Sequence, residues 1–247
     1  MTETDTTAPP ALHRVLELFA DPPAEPDTSN GYLDLLAADS AEVDVPKNTG
    51  WIQAAWASPI GSMLYDNAQA LNRRLFSAWR HPIEWLAIPP GGVALDVGCG
   101  PGNVTASLAD AAGPDGLALG VDISVPMLTR AVQAQSGPNT VFVRADAQRL
   151  PFRDQTVDTV VSIAALQLIP DPAAALAEMG RVLRPGGRLA VMVPTAGQAS
   201  QFFRLLPDVG AHMFGVDELG DILEQHGFVS VRTTSFGPIQ WARAKHA

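Results

Sequence analysis

The stretch ALDVGCGPGNVT, residues 94–105, runs from apolar residues through an aspartate and three alternating glycines into a segment of helical character. Its apolar beginning is typical of a strand that is buried on both faces, as the strands of parallel sheets are. Gly98, Gly100 and Gly102 let the main chain turn tightly and approach a ligand, because glycine has no Cβ. In open α/β sheets, ligands lie at the carboxyl ends of the strands. The stretch therefore predicts a strand, a ligand-binding turn and a helix.

The spacing of the glycines limits what this turn can bind. The dinucleotide fingerprint G-x-G-x-x-G would need a glycine at position 103, where the chain has Asn103. The chain also lacks the G-x-x-x-x-G-K-[ST] of a P-loop. Asp96, two residues before the first glycine, places a negative charge beside the predicted pocket, which disfavours a pyrophosphate. A ligand with an ammonium or sulfonium group suits this carboxylate better.

Two further aspartates follow the next two predicted strands. Asp122 ends the run LALGVD, and Asp146 comes just after the run VFVRA. A carboxylate at the first position can accept hydrogen bonds from both hydroxyls of a ribose, and one at the second lies within reach of an adenine amino group. Each aspartate alone also fits a helix N-cap or a turn residue. Three acids at the ends of three successive strands favour the ligand-binding interpretation.

After residue 90 the chain alternates between predicted strands and helices. Strands are predicted at 93–97, 117–121, 140–143, 157–163 and 187–193, with a closing pair near 228–234 and 238–245. Helices are predicted near 102–112, 125–135, 172–183 and 216–226. Such alternation predicts an α/β fold with a largely parallel sheet that is covered by helices on both faces. We assign residues 91–247 to this core.

The front of the chain has a different character. Residues 1–30 carry many Pro, Thr, Asp and Glu around one apolar island, ALHRVLELFA, so we predict a disordered acidic leader in which the island forms a short helix. Residues 31–90 are predicted to be an accessory or lid segment, with one or two helices between 62 and 85. The sequence IPPGG then ends the helical pattern.

The negative charge is concentrated at the front of the chain. The formal net charge is −10, and residues 1–50 hold ten Asp and Glu against two basic residues. A near-neutral core behind an acidic front is poorly suited to a nucleic acid backbone, which needs clustered Lys and Arg. No apolar run approaches the roughly 18 residues of a membrane helix, and the first ten residues do not resemble a secretory signal. We therefore predict a cytoplasmic protein with no membrane span and no nucleic acid partner.

The single cysteine, Cys99, lies inside the glycine turn. One cysteine excludes an intrachain disulfide and a cysteine-based metal site, and we predict no bound metal. Cys99 is interpreted as a small buried residue rather than a reactive thiol, because no histidine lies near it in the sequence.

Five segments resemble, in the right order, the motifs of the class I S-adenosylmethionine-dependent methyltransferases, in particular those of methyltransferase type 11. They are LDVGCGPG, GVDIS with Met127, RADAQRLPF, VDTVVSIAALQLIPD and RVLRPGGRLAVMVP. SMLYDNAQALNRRLF also resembles the first helix of the ubiquinone and menaquinone C-methyltransferases, with its YD pair at Tyr65 and Asp66. The resemblance covers about residues 60–247. It implies a Rossmann-like sheet of seven strands in the order 3-2-1-4-5-7-6, with strand 7 antiparallel.

The resemblance also implies which residues bind S-adenosylmethionine, the cofactor of that family. The implied set is Asp96, Gly98, Cys99, Gly100 and Gly102 for the methionine end, Asp122 for the ribose, Ile123 and Met127 for the faces of the adenine ring, Asp146 and Ala147 for its amine, and Ala164 for the methionyl side.

Methyl transfer from a sulfonium is an in-line displacement, so positioning of the acceptor can supply much of the rate without a dedicated catalytic residue. A general base is needed only where the acceptor loses a proton. The candidates are His212, Tyr65 and Gln167, the last of which stands where many small-molecule relatives carry a histidine. A glutamine can orient an acceptor but cannot act as a base at neutral pH. We expect a small, apolar or aromatic acceptor such as a quinone, lipid or secondary metabolite, and a monomer or homodimer.

Other functions stay open at this point. NGYLDLLAADS, residues 30–40, also resembles the stretch after the zinc ribbon of the ribosomal RNA guanine methyltransferases, but residues 1–50 lack the paired cysteines that bind zinc there. A non-catalytic cofactor-binding module would keep the aspartates without turnover. A nicotinamide-dependent oxidoreductase is disfavoured by Asn103 in place of the third fingerprint glycine.

Overall fold

The computed structural model describes residues 10–36, 84–194, 212–237 and 239–247 of the chain. The helices predicted between residues 62 and 85, and with them Tyr65, lie outside these ranges except for residues 84–86, which are helical. The described part is built around one sheet with helices on both of its faces.

The sheet of the described residues has eight strands. They are β1 (Leu33–Asp34), β2 (Val93–Val97), β3 (Leu117–Asp122), β4 (Thr140–Arg144), β5 (Val157–Ile163), β6 (Leu183–Pro194), β7 (Phe228–Phe236) and β8 (Ile239–His246). Their order is β1-β4-β3-β2-β5-β6-β8-β7, and β8 runs antiparallel to both of its neighbours. The strands from β2 to β8 reproduce the predicted seven-strand order. The predicted strand count is corrected by β1, which adds a short parallel strand at the edge beside β4.

Besides the helical residues 84–86 and a short 3₁₀ helix at Leu166–Leu168, five α-helices accompany these strands in the described ranges: α1 (Pro10–Leu16), α2 (Asn103–Ala112), α3 (Val125–Gln135), α4 (Pro172–Val182) and α5 (Glu218–Gln225). The start of α4 shows why the sequence begins a helix there. The side chain of Asp171 accepts a hydrogen bond of 2.9 Å from the N–H of Ala174, and Pro172 occupies the first helical position. Helix α2 begins directly after Gly102, so the glycine turn joins β2 to α2 as predicted.

Alternate residues of β2 face two different layers of the core. Val93, Leu95 and Val97 pack in the larger cluster, together with residues of α1, α4 and α5. Ala94 packs on the other face, in the cluster that contains inner residues of α2. Because all five residues of β2 are buried, the strand reads as a continuous apolar run that is interrupted only by Asp96.

The apolar island of the leader is part of the folded core. Val15 is fully buried, Phe19 is 3% exposed, and the ring centroids of Phe19 and Phe152 lie 5.4 Å apart. Arg14 donates hydrogen bonds of 3.0 Å to the carbonyl oxygens of Gly116 and Asp115. The island forms the predicted short helix as α1, and because it packs in the core, the prediction of a disordered leader is wrong for the island itself. The domain boundaries at residues 30 and 90 stay predictions.

The described residues contain neither a membrane-spanning helix nor a group of side chains that could bind a metal ion. None of the helices in these ranges combines the length and the apolar character that a bilayer crossing requires. Within the same ranges, no three His, Cys, Asp or Glu side chains are grouped so that they could hold a metal ion.

We predict that Phe19→Ala lowers the free energy of unfolding by about 3 kcal/mol, because it leaves a cavity beside Phe152. Urea denaturation followed by circular dichroism measures the change. His13→Ala, at an exposed position of the neighbouring helix, is the control and should change stability little. Equal stability of the two variants would show that the island does not pack in the core.

Candidate functional site

The glycine turn is tied to the end of the neighbouring strand β3. The N–H groups of Gly98 and Cys99 both donate to the carbonyl oxygen of Val121, at 2.8 and 3.0 Å. The N–H of Gly102 closes the turn by donating to the carbonyl oxygen of Cys99 at 3.0 Å. The turn therefore lies between the carboxyl ends of β2 and β3, where the sequence places a ligand.

The three glycines of the turn have positive φ angles, between 52° and 81°, but their surroundings differ. A Cβ on Gly98 would lie 2.1 Å from the Cβ of Ala165, and a Cβ on Gly102 would lie 2.8 Å from the ring of Phe142. A Cβ on Gly100 would meet no atom within 4 Å. Gly98 and Gly102 are thus required by packing, whereas Gly100 borders the open space in which a ligand can lie.

Asp122 joins the glycine turn to the loop after β3. One carboxylate oxygen accepts a hydrogen bond of 2.8 Å from the N–H of Gly100, and the other accepts one of 2.8 Å from the N–H of Ser124. Burial raises the pKa of Asp122, although these hydrogen bonds act in the opposite direction. The side chain is therefore fixed beside the turn, in the position predicted for ribose binding.

Asp96 is a buried carboxyl beneath the turn. Its residue is 1% exposed, and Oδ2 accepts a hydrogen bond of 2.7 Å from the hydroxyl of Thr105 on α2. The pKa of Asp96 is raised from 3.8 to about 7, because burial and the charge of Asp122 raise it by more than the hydrogen bond from Thr105 lowers it. A cation beside this carboxyl would favour its ionised form.

Asp146 lies after β4, at the same edge of the sheet. The N–H of Ala145 donates to the carbonyl oxygen of Asp122 at 3.3 Å, which brings the two loops together. The carboxylate of Asp146 accepts hydrogen bonds from the main-chain N–H and the side-chain amide of Gln148, at 2.9 and 3.1 Å. Asp146 therefore stabilises a turn, as one interpretation of the sequence suggested, and its predicted role toward adenine stays a prediction.

The other predicted wall residues take different environments. Ile123, Met127 and Ala147 are half-buried, and Ala164 is exposed with a φ of +55°, which is unusual for a residue other than glycine. Cys99 is 7% exposed, and burial raises the pKa of its thiol well above the ordinary value. A thiol with a raised pKa is a poor nucleophile, so the interpretation of Cys99 as a small buried residue agrees with the structure.

Two of the three candidate catalytic residues lie together. The side-chain amide of Gln167 donates to the carbonyl oxygen of Ala164 at 2.7 Å, and the main-chain N–H of His212 donates to the carbonyl oxygen of Gln167 at 2.8 Å. His212 thus lies beside the segment that follows β5. Tyr65, the third candidate, lies outside the described residues.

His212 has an acidic partner that the sequence did not indicate. Its Nε2 lies 2.6 Å from Oε1 of Glu218, and the other oxygen of Glu218 accepts a hydrogen bond of 2.8 Å from the N–H of Gly215. Burial opposes ionisation of Glu218, but these hydrogen bonds and the charge of His212 leave its pKa lowered. The pair resembles a base with an orienting carboxylate, held at the rim of the site.

Sequence reasoning missed two other residues of the site, Thr105 and Arg144. Thr105 is fully buried on the inner side of α2, and a polar residue on an apolar helix face was the available signal. Arg144 binds the main chain next to Asp122 and pairs with Asp34, which is 110 residues away in the chain. No local sequence pattern predicts an ion pair between two residues so far apart in the chain.

The residues present fit S-adenosylmethionine. The open space at Gly100 leaves room for a ligand against the main chain, and the buried carboxyl of Asp96 favours a positively charged group. The site combines a glycine turn and a buried aspartate at the centre of a largely parallel sheet in which antiparallel β8 lies between β6 and β7. This combination defines a class of methyltransferases rather than a phosphate-binding fold.

Comparison with known proteins agrees with this class. Residues 95–191 match the family described as "Methyltransferase domain". The chain is 32% identical to a demethylmenaquinone methyltransferase of Staphylococcus aureus over 185 residues, which is 64% of this chain and 77% of that protein. The chain belongs to the class I S-adenosylmethionine-dependent methyltransferases, and S-adenosylmethionine is its cofactor.

Two further similarities differ in how much of each chain they cover and in what they show. A demethylmenaquinone methyltransferase of Roseiflexus castenholzii is 43% identical over 115 residues, which is 46% of this chain, and the match spans about half (48%) of that relative. A methyltransferase of Haloferax volcanii, solved in complex with the activator Trm112, has a TM-score of 0.61 at 19% identity and covers 74% of this chain and 94% of its own. The second similarity shows the fold alone.

We predict that Gly100→Val abolishes binding of S-adenosylmethionine, because the side chain would occupy the ligand space at a φ of +52°. Gly186→Val is the matched control, since Gly186 has a φ of +78°, lies near the start of β6, and would also place a Cβ with no atom within 4 Å. Both variants should lose about 1–2 kcal/mol of stability through strain. Calorimetric titration that found wild-type affinity in Gly100→Val would contradict the proposed ligand position.

We predict that affinity for S-adenosylmethionine falls as the pH drops below about 7. Below the pKa of Asp96 the protein must release a proton before the carboxylate can face the cation, which costs up to roughly tenfold in affinity per pH unit. Titrations between pH 5.5 and 8.5 measure the slope. Asp96→Asn should bind more weakly above pH 7 and show a flatter profile, and an unchanged slope in this variant would assign the proton to another group.

Proposed function

We propose that the protein transfers the methyl group of S-adenosylmethionine to a ring carbon of a small, hydroxylated aromatic acceptor of the quinol type. The observation that carries this proposal is the 32% identity to a demethylmenaquinone methyltransferase over 77% of that protein, together with the intact glycine turn and its aspartates. An apolar ring also agrees with the small and apolar acceptor expected from the sequence.

In this proposal the residues at the strand ends divide the cofactor between them. Asp96 faces the positively charged methionine end, because its buried carboxyl is the acid closest to the turn in sequence. Asp122, already hydrogen-bonded to the N–H of Gly100, binds the ribose hydroxyls with its remaining lone pairs. Ile123 and Met127 flank the adenine ring. Asp146, together with Ala147, binds the adenine amino group, whose N–H donates a hydrogen bond.

S-adenosylmethionine supplies a methyl carbon that the acceptor carbon attacks as the bond to sulfur breaks, after which the ring carbon loses its proton. The protein's contribution is to place the acceptor carbon about 3–3.5 Å from that methyl group and to exclude water. An electron-rich ring is the better nucleophile, so the dihydroxy form of a quinone is the form that reacts.

The pair of His212 and Glu218 is proposed to take up the proton that the acceptor loses. Glu218 holds Nε2 of the imidazole at 2.6 Å, which leaves Nδ1 as the ring nitrogen that can turn toward an acceptor. Gln167 orients the segment that carries His212, since its main-chain carbonyl oxygen accepts a hydrogen bond from the N–H of His212. Tyr65 stays a second candidate for contact with the acceptor.

A partly exposed apolar side chain beside His212 supports an apolar acceptor. Met213 is half-buried, whereas Phe214, whose ring lies 4.5 Å from that of His212, is fully buried and belongs to the core. The chain has further aromatic residues, among them Trp51, Trp56 and Phe203, that lie outside the described residues. A cytoplasmic monomer or homodimer is proposed as the working form.

The experiment that tests this function uses 1,4-dihydroxynaphthalene as a soluble acceptor under reducing conditions. Purified protein and S-adenosylmethionine should yield S-adenosylhomocysteine and a product that carries one new methyl group on carbon, identified by mass spectrometry and by the loss of one ring proton in the NMR spectrum. Asp122→Ala should reduce turnover at limiting cofactor by about tenfold or more, the scale of lost hydrogen bonds to a charged group.

Two controls separate the alternatives. The oxidised 1,4-naphthoquinone should give no product, and a ribosomal RNA hairpin should give none either. Turnover with the hairpin alone would favour the RNA methyltransferase alternative. Binding of S-adenosylmethionine without turnover on any ring acceptor would favour a non-catalytic module.

A further inference from the structure

The short strand β1 joins the N-terminal segment to the strand next to the cofactor site. Leu33 and Asp34 pair in register with Val143 and Arg144 of β4, and the N–H of Leu35 donates to the carbonyl oxygen of Arg144 at 3.1 Å. Leu33 is 1% exposed. This edge of the sheet is therefore built by a segment far from the core in sequence, and Leu33 of that segment is as buried as the core residues.

Arg144 links this segment to the loop that carries Asp122. Its guanidinium donates to both carboxylate oxygens of Asp34, at 3.3 and 3.0 Å, and its Nε donates to the carbonyl oxygen of Ile123 at 3.3 Å. The side chains of Asp34 and Arg144 are 6% and 24% exposed. A planar guanidinium with several donors in fixed directions can hold both partners at once.

The carbonyl that Arg144 binds belongs to the same peptide group as one of the two N–H groups that bind the Asp122 carboxylate. Ile123 follows Asp122 directly, and the next N–H, that of Ser124, donates to the carboxylate of Asp122 at 2.8 Å. Rotation of the Ile123 peptide would disturb this hydrogen bond. The guanidinium therefore restricts the loop that presents both the ribose-binding carboxylate and the first wall of the adenine site.

The same N-terminal segment also packs against the glycine turn and against α3. Tyr32 is 2% exposed and packs in one cluster with Cys99, Leu128 and Phe142. A Cβ on Gly31, whose φ is +79°, would lie 2.7 Å from a methyl carbon of Val132 on α3, so glycine is needed for this close approach. The segment thus contacts the turn and, through Arg144, the loop after β3.

We propose that residues 27–36 form a positioning element for the adenosyl half of the cofactor, acting through the pair of Asp34 and Arg144 on the loop from Asp122 to Ser124. Asp34 and Arg144 are positioning residues, since each acts on the cofactor through another group. This inference rests on the proposed function only in that the site binds the adenosyl group, and it does not depend on which acceptor is methylated.

The test compares Asp34→Asn with Asp158→Asn. Asp158 is a matched control because its carboxylate also binds one arginine, Arg184 at 2.5 Å, and one main-chain N–H, that of Val93 at 2.8 Å, but lies at the opposite ends of the strands. Calorimetry measures the Kd of each variant for S-adenosylmethionine and for 5′-methylthioadenosine, which keeps the methylthio group but lacks the 3-amino-3-carboxypropyl chain. The number of binding sites and the Tm are measured alongside.

Asp34→Asn should weaken binding of both ligands by the same factor, about fivefold, with one site per chain retained. Asp158→Asn should leave both Kd values unchanged. A loss of Tm in Asp34→Asn with wild-type Kd values, or an equal loss of affinity in Asp158→Asn, would overturn the proposal and leave the pair as a stabilising contact only.

Arg144→Lys is the second variant, for use if Asp34→Asn does not fold. Lysine keeps a positive charge opposite Asp34 but has no second donor in the fork geometry that reaches Ile123. It should show the same loss for both ligands, and wild-type affinity would overturn the proposal. Failure of the wild-type protein to bind S-adenosylmethionine would instead contradict the proposed function, so the two outcomes are distinguishable.

Discussion

The site depends on two carboxyls at the ends of parallel strands, those of buried Asp96 and half-buried Asp122, beside a turn in which three of the five residues are glycine. Asp96 is 1% exposed, and its pKa is raised from 3.8 to about 7, chiefly by burial. Ionising such a group costs about 4 kcal/mol more than in water. That cost already includes the favourable hydrogen bond from the hydroxyl of Thr105 and the unfavourable charge of Asp122. A cation in the turn relieves the cost, so the site favours a positively charged ligand over a phosphate.

Close packing of several strands holds these carboxylates in place. Gly98 has no room for a Cβ against Ala165, and neither Gly102 nor Gly120 has room for one against the ring of Phe142. The turn is therefore fixed by residues of β4 and of the segment after β5, on either side of it. The glycines are needed at these positions for close approach as much as for their positive φ angles. Rigid packing of this kind lets the aspartates keep their directions without a ligand.

The sequence predicts the core well and the front poorly, for physical reasons. The strand predicted at 157–163 has the observed bounds, because an apolar, β-branched run between polar residues is a local signal. Strand β1 has two residues and no periodicity, and its partner Arg144 lies 110 residues away from Asp34, so only the folded chain reveals it. The sequence predicts the helix around Val15 but not its burial, because that burial depends on contact with distant residues such as Phe152.

The cofactor-binding part and the acceptor-binding part of the site also differ in how well the sequence predicts them. Charged residues are rare inside a core, so Asp96 stands out from the apolar run of β2 in the amino-acid sequence itself. Apolar residues that would bind a ring are of the same types as those that pack a core, and Phe214, two residues after His212, is fully buried. The partnership of His212 with Glu218 likewise becomes visible only in the fold. Recognition of a cation by buried carboxylates therefore leaves a distinct pattern in the sequence, whereas recognition of an apolar ring does not.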